Sequence, residues 1–187
     1  MTRRPHTPVS QPRPRRIAAL VPAALLSVGL ALGLAACGSS PPADSATPTV
    51  VRVVDGDTVV VRSGGTEESV RLIGVDTPET KHPTKPVQCF GKEASAFTAS
   101  VLPPGTAVRL ERDVEEHDRY DRLLVYLYRV DDGAFVNLEL ARQGFAGVLT
   151  IPPNVAHTSE FVAAAAEARR AGRGLWGACG DVGVPAS

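Results

Sequence analysis

Two runs of β-branched and apolar residues, Asp57–Arg62 and Ser69–Val75, stand on either side of the glycine pair Gly64-Gly65. Runs of that length around a glycine turn read as a β-hairpin, and a hairpin limits where its polar members can go. The midpoint between Asp57 and Asp76 falls at 66.5, inside the turn that starts at Gly64-Gly65. An antiparallel pairing about that point sets the two carboxylates opposite each other at the open end. Carboxylates that close repel unless a cation lies between them, and hard oxygen donors suit Ca²⁺ or Mg²⁺ better than zinc. A strict register turns Arg71 to the other face from Asp57, and a bulge at Gly74 brings it back. Each piece also has a plainer reading: Asp55-Gly56 as a turn, Asp76-Thr77-Pro78 as a turn or helix cap, Arg71 as half of a structural ion pair.

The remaining pattern predicts a mainly β, α+β domain. Val50–Val54, Ala107–Glu111 and Leu123–Val130 join the hairpin as strands, and Asp131-Asp132-Gly133 supplies a further turn. Helices are expected over Lys92–Val101, Asn137–Gln143 and Ser159–Ala171, the second stopped by Gly144 and the third near Gly172. Trp176 reads as a packing anchor beyond the last helix. Five short strands with about three supporting helices suit an OB-type Greek-key barrel. Residues 50–180 are long enough for one compact domain, and nothing in its size calls for more than a monomer.

The beginning of the chain reads as an address. Residues 1–36 carry Arg3, Arg4, Arg13, Arg15 and Arg16 without an acid, then an apolar run from Ile17 to Leu34, then Ala35-Ala36 before Cys37. That is an export signal, and Cys37 at the small-residue boundary resembles a lipoprotein cleavage site, where the cysteine takes a diacylglyceryl anchor. A single membrane span and an ordinary cleaved signal are the alternatives. Residues 37–49 have the Ser/Pro/Ala composition of a tether, and 181–187 form a tail. The leader takes five of the 20 basic residues and none of the 20 acidic ones, so the remainder carries a net charge of −5. That excludes a protein that coats nucleic acid through a broad basic field. In an exported chain the two cysteines left, Cys89 and Cys179, suggest a disulfide, and two free thiols are the alternative. Closing that loop stabilises by roughly 4 to 5 kcal/mol in the chain-entropy account.

D-G-D-T, then R-L-I-G-V-D-T-P-E-T-K-H-P, then D-R-Y-D-R-L-L-V-Y-L-Y and N-L-E-L-A-R-Q-G-F-A together resemble the staphylococcal nuclease family, from about Val50 to Trp176. The resemblance implies one Ca²⁺ held by Asp57, Asp76 and the carbonyl of Thr77. It implies Glu79 as the group that activates water, Arg71 and Arg122 as phosphate ligands, and Tyr120 as a contact to a terminal phosphate. DNA and RNA are the implied substrates, cut by water with a 5′-oxygen leaving group and 3′-phosphate products. A membrane-tethered OB-type module that binds nucleic acid without cutting it is the alternative, and a surface lipoprotein for another anionic ligand is a third reading.

Two departures from the family pattern stand out. Thr150 and Pro152 occupy positions where tyrosines often flank the bound base, and stacking there is worth about 1 to 3 kcal/mol per base. Asp121 stands where glycine commonly precedes Arg122, so it either orients that arginine or competes with substrate for it. His6 leaves with the signal. His82 follows the Glu79 loop at the surface, and His117 and His157 show no ligand spacing.

Overall fold

A computed structural model describes residues 47–81 and 86–179. The leader, Cys37, most of the tether, His82 and the tail lie outside the described residues. Among the described residues no helix is long and apolar enough to cross a membrane.

Five strands form the main sheet: β1 (Thr49–Asp55), β2 (Thr58–Ser63), β3 (Thr66–Leu72), β5 (Val108–Glu111) and β6 (Leu123–Arg129). Their order is β1-β2-β3-β6-β5. All neighbours run antiparallel except β3 and β6, which pair in parallel over Val70–Leu72 and Leu123–Val125. Among the described residues the edge strands β1 and β5 form no continuous ladder: they are joined by an isolated Thr49–Ala107 bridge, with the Val50 N–H donating to Thr106 O at 2.9 Å and the Val108 N–H to Pro48 O at 2.8 Å. The sheet is thus OB-type but not closed into a complete barrel. β2 is an interior strand, and Val59, Val60 and Val61 on it are all buried instead of alternating, so this part of the sheet is covered on both faces.

The run expected as a single strand from Ser69 to Val75 breaks at Ile73-Gly74. Beyond the break, β4 (Gly74–Asp76) leaves the main sheet and pairs with β7 (Gly147–Leu149), a strand too short to be read in the sequence. Gly74 makes the turn possible: its φ is +83°, and a Cβ there would stand 2.2 Å from the Phe161 ring. Asn137, fully buried, splices the pieces together. Its Nδ2 donates to Ile73 O and Val125 O at 2.9 and 3.0 Å, and its Oδ1 accepts the Leu127 N–H at 2.9 Å. A buried amide with three good partners stabilises one arrangement and penalises every other.

Among the described residues four helices support the sheet: α1 (Gly91–Val101), α2 (Val136–Arg142), α3 (Thr158–Arg170) and the short α4 (Leu175–Ala178). Three correspond to the expected helices, and α4 carries Trp176, whose ring lies 5.4 Å from the Arg169 guanidinium carbon. The alanines of α3 have a packing role: Ala164, Ala165 and Ala168 sit with Phe161 on the buried face, so the helix lies close against its neighbours. α1 is tied to the sheet where Thr98 Oγ1 donates to Gly56 O at 2.6 Å.

Candidate active site

The Asp55-Gly56-Asp57 corner between β1 and β2 lies against the chain just past β4. Gly56 is obligatory there, because a Cβ would come within 2.7 Å of Thr77 Oγ1. Asp57, 7% exposed, is held by Thr77, whose backbone N–H and hydroxyl both donate to Oδ2 at 2.8 and 2.9 Å. Thr58 Oγ1 donates to the other oxygen, Oδ1, at 3.1 Å.

The hairpin register differs from the expected one. The turn centres on Gly64-Gly65, so Ser63 faces Thr66, Thr58 faces Arg71, and the Leu72 N–H donates to Asp57 O at 2.9 Å. Asp57 therefore lies across from Leu72, not from Asp76. The β2–β3 ladder has no bulge, and the register shifts fall instead between β1 and β2. Asp57 and Asp76 nevertheless meet, because the break at Gly74 redirects the chain. The Arg71 guanidinium lies between them, with Nη2 2.9 Å from Asp76 Oδ1 and 3.3 Å from Asp57 Oδ2. Its Nη1 donates to Leu72 O and Val75 O at 2.6 and 2.8 Å, which fixes the arginine across the β3–β4 joint.

Glu79 lies beyond Thr77 in the same cleft. Its backbone N–H donates to Gln88 Oε1 at 2.8 Å, and its Oε1 accepts the Lys81 N–H at 2.6 Å. Asp55 does more than shape a turn. Its Oδ1 accepts the Gly56 N–H and the Thr80 hydroxyl, each at 2.9 Å, and so holds the residue next to Glu79. Burial raises the Asp55 carboxyl, and its bond to Glu79 raises it further. Burial also pushes Glu79 upward, but the Lys81 N–H and Asp55 outweigh it and keep Glu79 below its usual value. Of the pair, Glu79 is the one that gives up its proton more readily.

Arg122 reaches the cleft from the start of β6. Asp118 holds it, accepting from Arg122 Nε at 2.7 Å with Oδ2 and from the N–H groups of Tyr120 and Arg122 at 2.9 and 3.0 Å with Oδ1. Burial raises Asp118, but these donors prevail and keep its carboxyl below the usual range. The orienting carboxylate is thus Asp118, not Asp121. Asp121 has a φ of +61°, a left-handed conformation that glycine adopts freely and aspartate tolerates, and its contribution is to the loop's course. Tyr120 is 65% exposed at the rim, with the Arg119 and Arg122 guanidinium carbons 4.7 and 5.4 Å from its ring centre.

Two cavities of about 420 Å³ each adjoin here and share Arg71, Tyr120 and Arg122. The polar one holds Asp57, Asp76, Thr77 and Glu79. The other is mainly apolar, walled by Ile73, Leu124, Leu149 and Ile151, while Thr150 and Pro152 are not among its walls.

The donor chemistry of the polar cavity fits a hard cation. Among the described residues no three His, Cys, Asp or Glu side chains converge as a ready-made metal cage. Two carboxylates do converge, and Asp76 is short of positive charge. Burial raises Asp76 to about 6, with further increase from the Asp57 and Glu79 charges and only partial relief from Arg71. A divalent cation beside Asp57 and Asp76 would relieve that crowding.

Cys89 and Cys179 form a disulfide, with sulfurs 2.02 Å apart and a sequence separation of 90. Of the histidines, His117 is exposed and pairs through its backbone with Leu123. His157 lies among Tyr126, Phe135 and Phe161, with Nδ1 2.8 Å from Glu160 and Nε2 3.3 Å from Glu111.

Fold and cleft together define an OB-type protein with an acidic, arginine-bearing site. Residues 69–178 match the family described as Staphylococcal nuclease homologue. The chain is 40% identical to the thermonuclease of Staphylococcus hyicus over 134 residues, covering 72% of this chain and 78% of that one. It is 43% identical to the thermonuclease of Staphylococcus intermedius over 127 residues, covering 68% and 74%. Endonuclease YncB of Bacillus subtilis is 36% identical over 136 residues, covering 72% and 63%. The chain belongs to the staphylococcal nuclease family.

Proposed function

We propose that this chain is a Ca²⁺-dependent endonuclease that cleaves DNA and RNA outside the cytoplasm, tethered to the membrane through Cys37. Family membership makes it a nuclease, a hydrolase of phosphodiester bonds. The observation that carries the finer reading is the gathering of Asp57, Asp76, Glu79, Arg71 and Arg122 around one cleft.

A phosphodiester is an anion and repels an incoming nucleophile, so its charge must be offset before attack. Arg71 and Arg122 donate to its non-bridging oxygens, a planar fork on each suiting paired acceptors. Donors of this kind lower the barrier by about 3 to 4 kcal/mol each where they meet developing charge. Asp57, Asp76 and the Thr77 carbonyl would hold Ca²⁺, which supplies further charge compensation when bound. Glu79 accepts a proton from the attacking water, a contribution of about 10²- to 10⁴-fold. The new bond forms between water oxygen and phosphorus, the bond to the 5′-oxygen breaks, and the phosphate stays on the 3′ side. The base enters the apolar cavity, against Leu149 and Ile151 in place of a tyrosine pair, and Tyr120 contacts a phosphate at the rim.

Hydrolysis of single-stranded DNA by residues 49–187, with Ca²⁺ or with a chelator, tests this reading. Cleavage that needs Ca²⁺ and falls by orders of magnitude in Glu79→Ala and Arg71→Ala supports it. DNA bound but left intact with every divalent ion overturns it in favour of a binding module. Mass spectrometry of the membrane-extracted protein tests the lipid on Cys37.

A further inference from the structure

We propose that Gln88 is a positioning residue for Glu79 and that the Cys89–Cys179 disulfide keeps Gln88 in place. The inference rests on the reading of Glu79 as the water-activating base.

Glu79 and Gln88 form a neck of two hydrogen bonds. The Glu79 N–H donates to Gln88 Oε1 at 2.8 Å, and the Gln88 N–H donates to Glu79 O at 2.9 Å. One residue therefore satisfies both backbone polar groups of the proposed base. The chain after Gln88 then presses on the chain around Glu79. Gly91, whose N–H donates to Gln88 O at 3.1 Å, leaves no room for a side chain: a Cβ would stand 2.9 Å from Pro78 O and 2.8 Å from Thr80 Cγ2. On the other side of Glu79, Asp55 grips Thr80. The backbone that carries the base is clamped from both directions.

The disulfide anchors this neck to a different part of the fold. Cys89 directly follows Gln88, and its partner Cys179 caps α4, donating its N–H to Leu175 O at 2.9 Å. Leu175 is fully buried and its N–H donates to Gly144 O at 2.8 Å, so the attachment point is itself fixed. The adjacent Phe90 adopts a φ of +66° and stacks on Phe145 at 5.5 Å, which adds a second, apolar hold.

The reason such a clamp matters is geometric. A glutamate has three rotatable side-chain bonds, so its carboxylate is placed only as well as its backbone. A misplacement of about 1 Å at a reacting group costs on the order of 10²-fold in rate. Cys89 is exposed, so a reductant in solvent reaches the disulfide.

Gln88→Met removes the acceptor at similar size, and Gln88→Glu retains it. Both would be compared with Glu79→Gln, in the oxidised protein with Ca²⁺, by kcat, KM and amide exchange at Glu79. The expected result for Gln88→Met is faster Glu79 amide exchange and a kcat lower by about 10²-fold, with KM within about twofold. Gln88→Glu restores kcat to within about threefold of wild type on the same argument. Reduction of the folded protein, or Cys89→Ser with Cys179→Ser, is expected to speed the same exchange and lower kcat in step with it. Gln88→Met leaves the disulfide intact, so it remains informative should the serine variant not fold. Full kcat in Gln88→Met alongside an inactive Glu79→Gln overturns the clamp and leaves the base reading standing. Loss of kcat without faster Glu79 exchange overturns it too. An active Glu79→Gln instead removes the base reading on which the clamp depends.

Discussion

Thr77 donates both its backbone N–H and its hydroxyl to a single oxygen of Asp57, Oδ2, twenty positions earlier in the chain. This pair, not the hairpin register, locks the corner after β1 to the chain after β4. Thr77→Val keeps the shape and the N–H bond but removes the hydroxyl. The expected loss is about 1 to 2 kcal/mol of stability, the usual cost of stripping a donor from a buried charged acceptor, read as a lower urea midpoint. Ca²⁺ affinity measured by calorimetry is expected to fall with it, because Asp57 is no longer aimed.

Asp118 is the carboxylate that orients Arg122, four positions on. Asp118→Asn retains the shape but weakens the charge-assisted bonds. A loss of roughly 1.4 kcal/mol in how Arg122 is presented corresponds to about a tenfold fall in kcat/KM. Asp121→Gly, by contrast, suits the φ of +61° and leaves the Asp118–Arg122 pair untouched. Its kcat/KM is expected to stay within about threefold of wild type, the effect of removing strain and one exposed, solvent-screened charge. Steady-state kinetics on one DNA substrate separates the two.

Gly74→Ala forces a side chain into left-handed backbone and onto the Phe161 ring. Both effects oppose folding, by about 1 to 2 kcal/mol for the backbone and about 1 to 3 kcal/mol for the overpacking. Chemical denaturation is expected to show a large drop in midpoint. The β4–β7 pairing is the part expected to open first in hydrogen exchange.

His157 makes stability depend on pH. Burial lowers its pKa, but Glu160 and Glu111 outweigh burial and raise it above the usual 6.5. A proton is therefore held more tightly in the fold than in the unfolded chain. The stabilisation is fully present below about pH 6.5 and is lost as pH rises through the raised value. Asp113 is near as well, bonded to Tyr126 OH at 2.9 Å, but its own carboxyl stays low and ionised across that range. Urea midpoints taken from pH 5.5 to 8 are expected to decline for wild type, and the decline is expected to shrink in His157→Gln.

Most of the strands and the three longer helices were legible because their cues are local: apolar runs, glycine turns and helix stops lie within a few residues of what they control. The chemical types of the cleft residues were legible for a similar reason, as Asp57, Asp76, Glu79, Arg71 and Arg122 fall in short distinctive runs. What the sequence determined alone, then, was the inventory: which elements form, and which side chains carry charge beside them. The tertiary structure decided how they meet. Counting from the turn placed Asp57 opposite Asp76, whereas the chain turns at Gly74, packed under the Phe161 ring of α3, and β4 pairs with β7 instead. The sequence likewise contains Asp118, Asn137 and Gln88 without marking them, since each acts on a partner that only the folded chain brings within hydrogen-bond distance. Local pattern reports the conformations a segment prefers. Register, clamps and the shape of a cleft come from contacts between segments far apart in the chain, and those exist only once the core has formed.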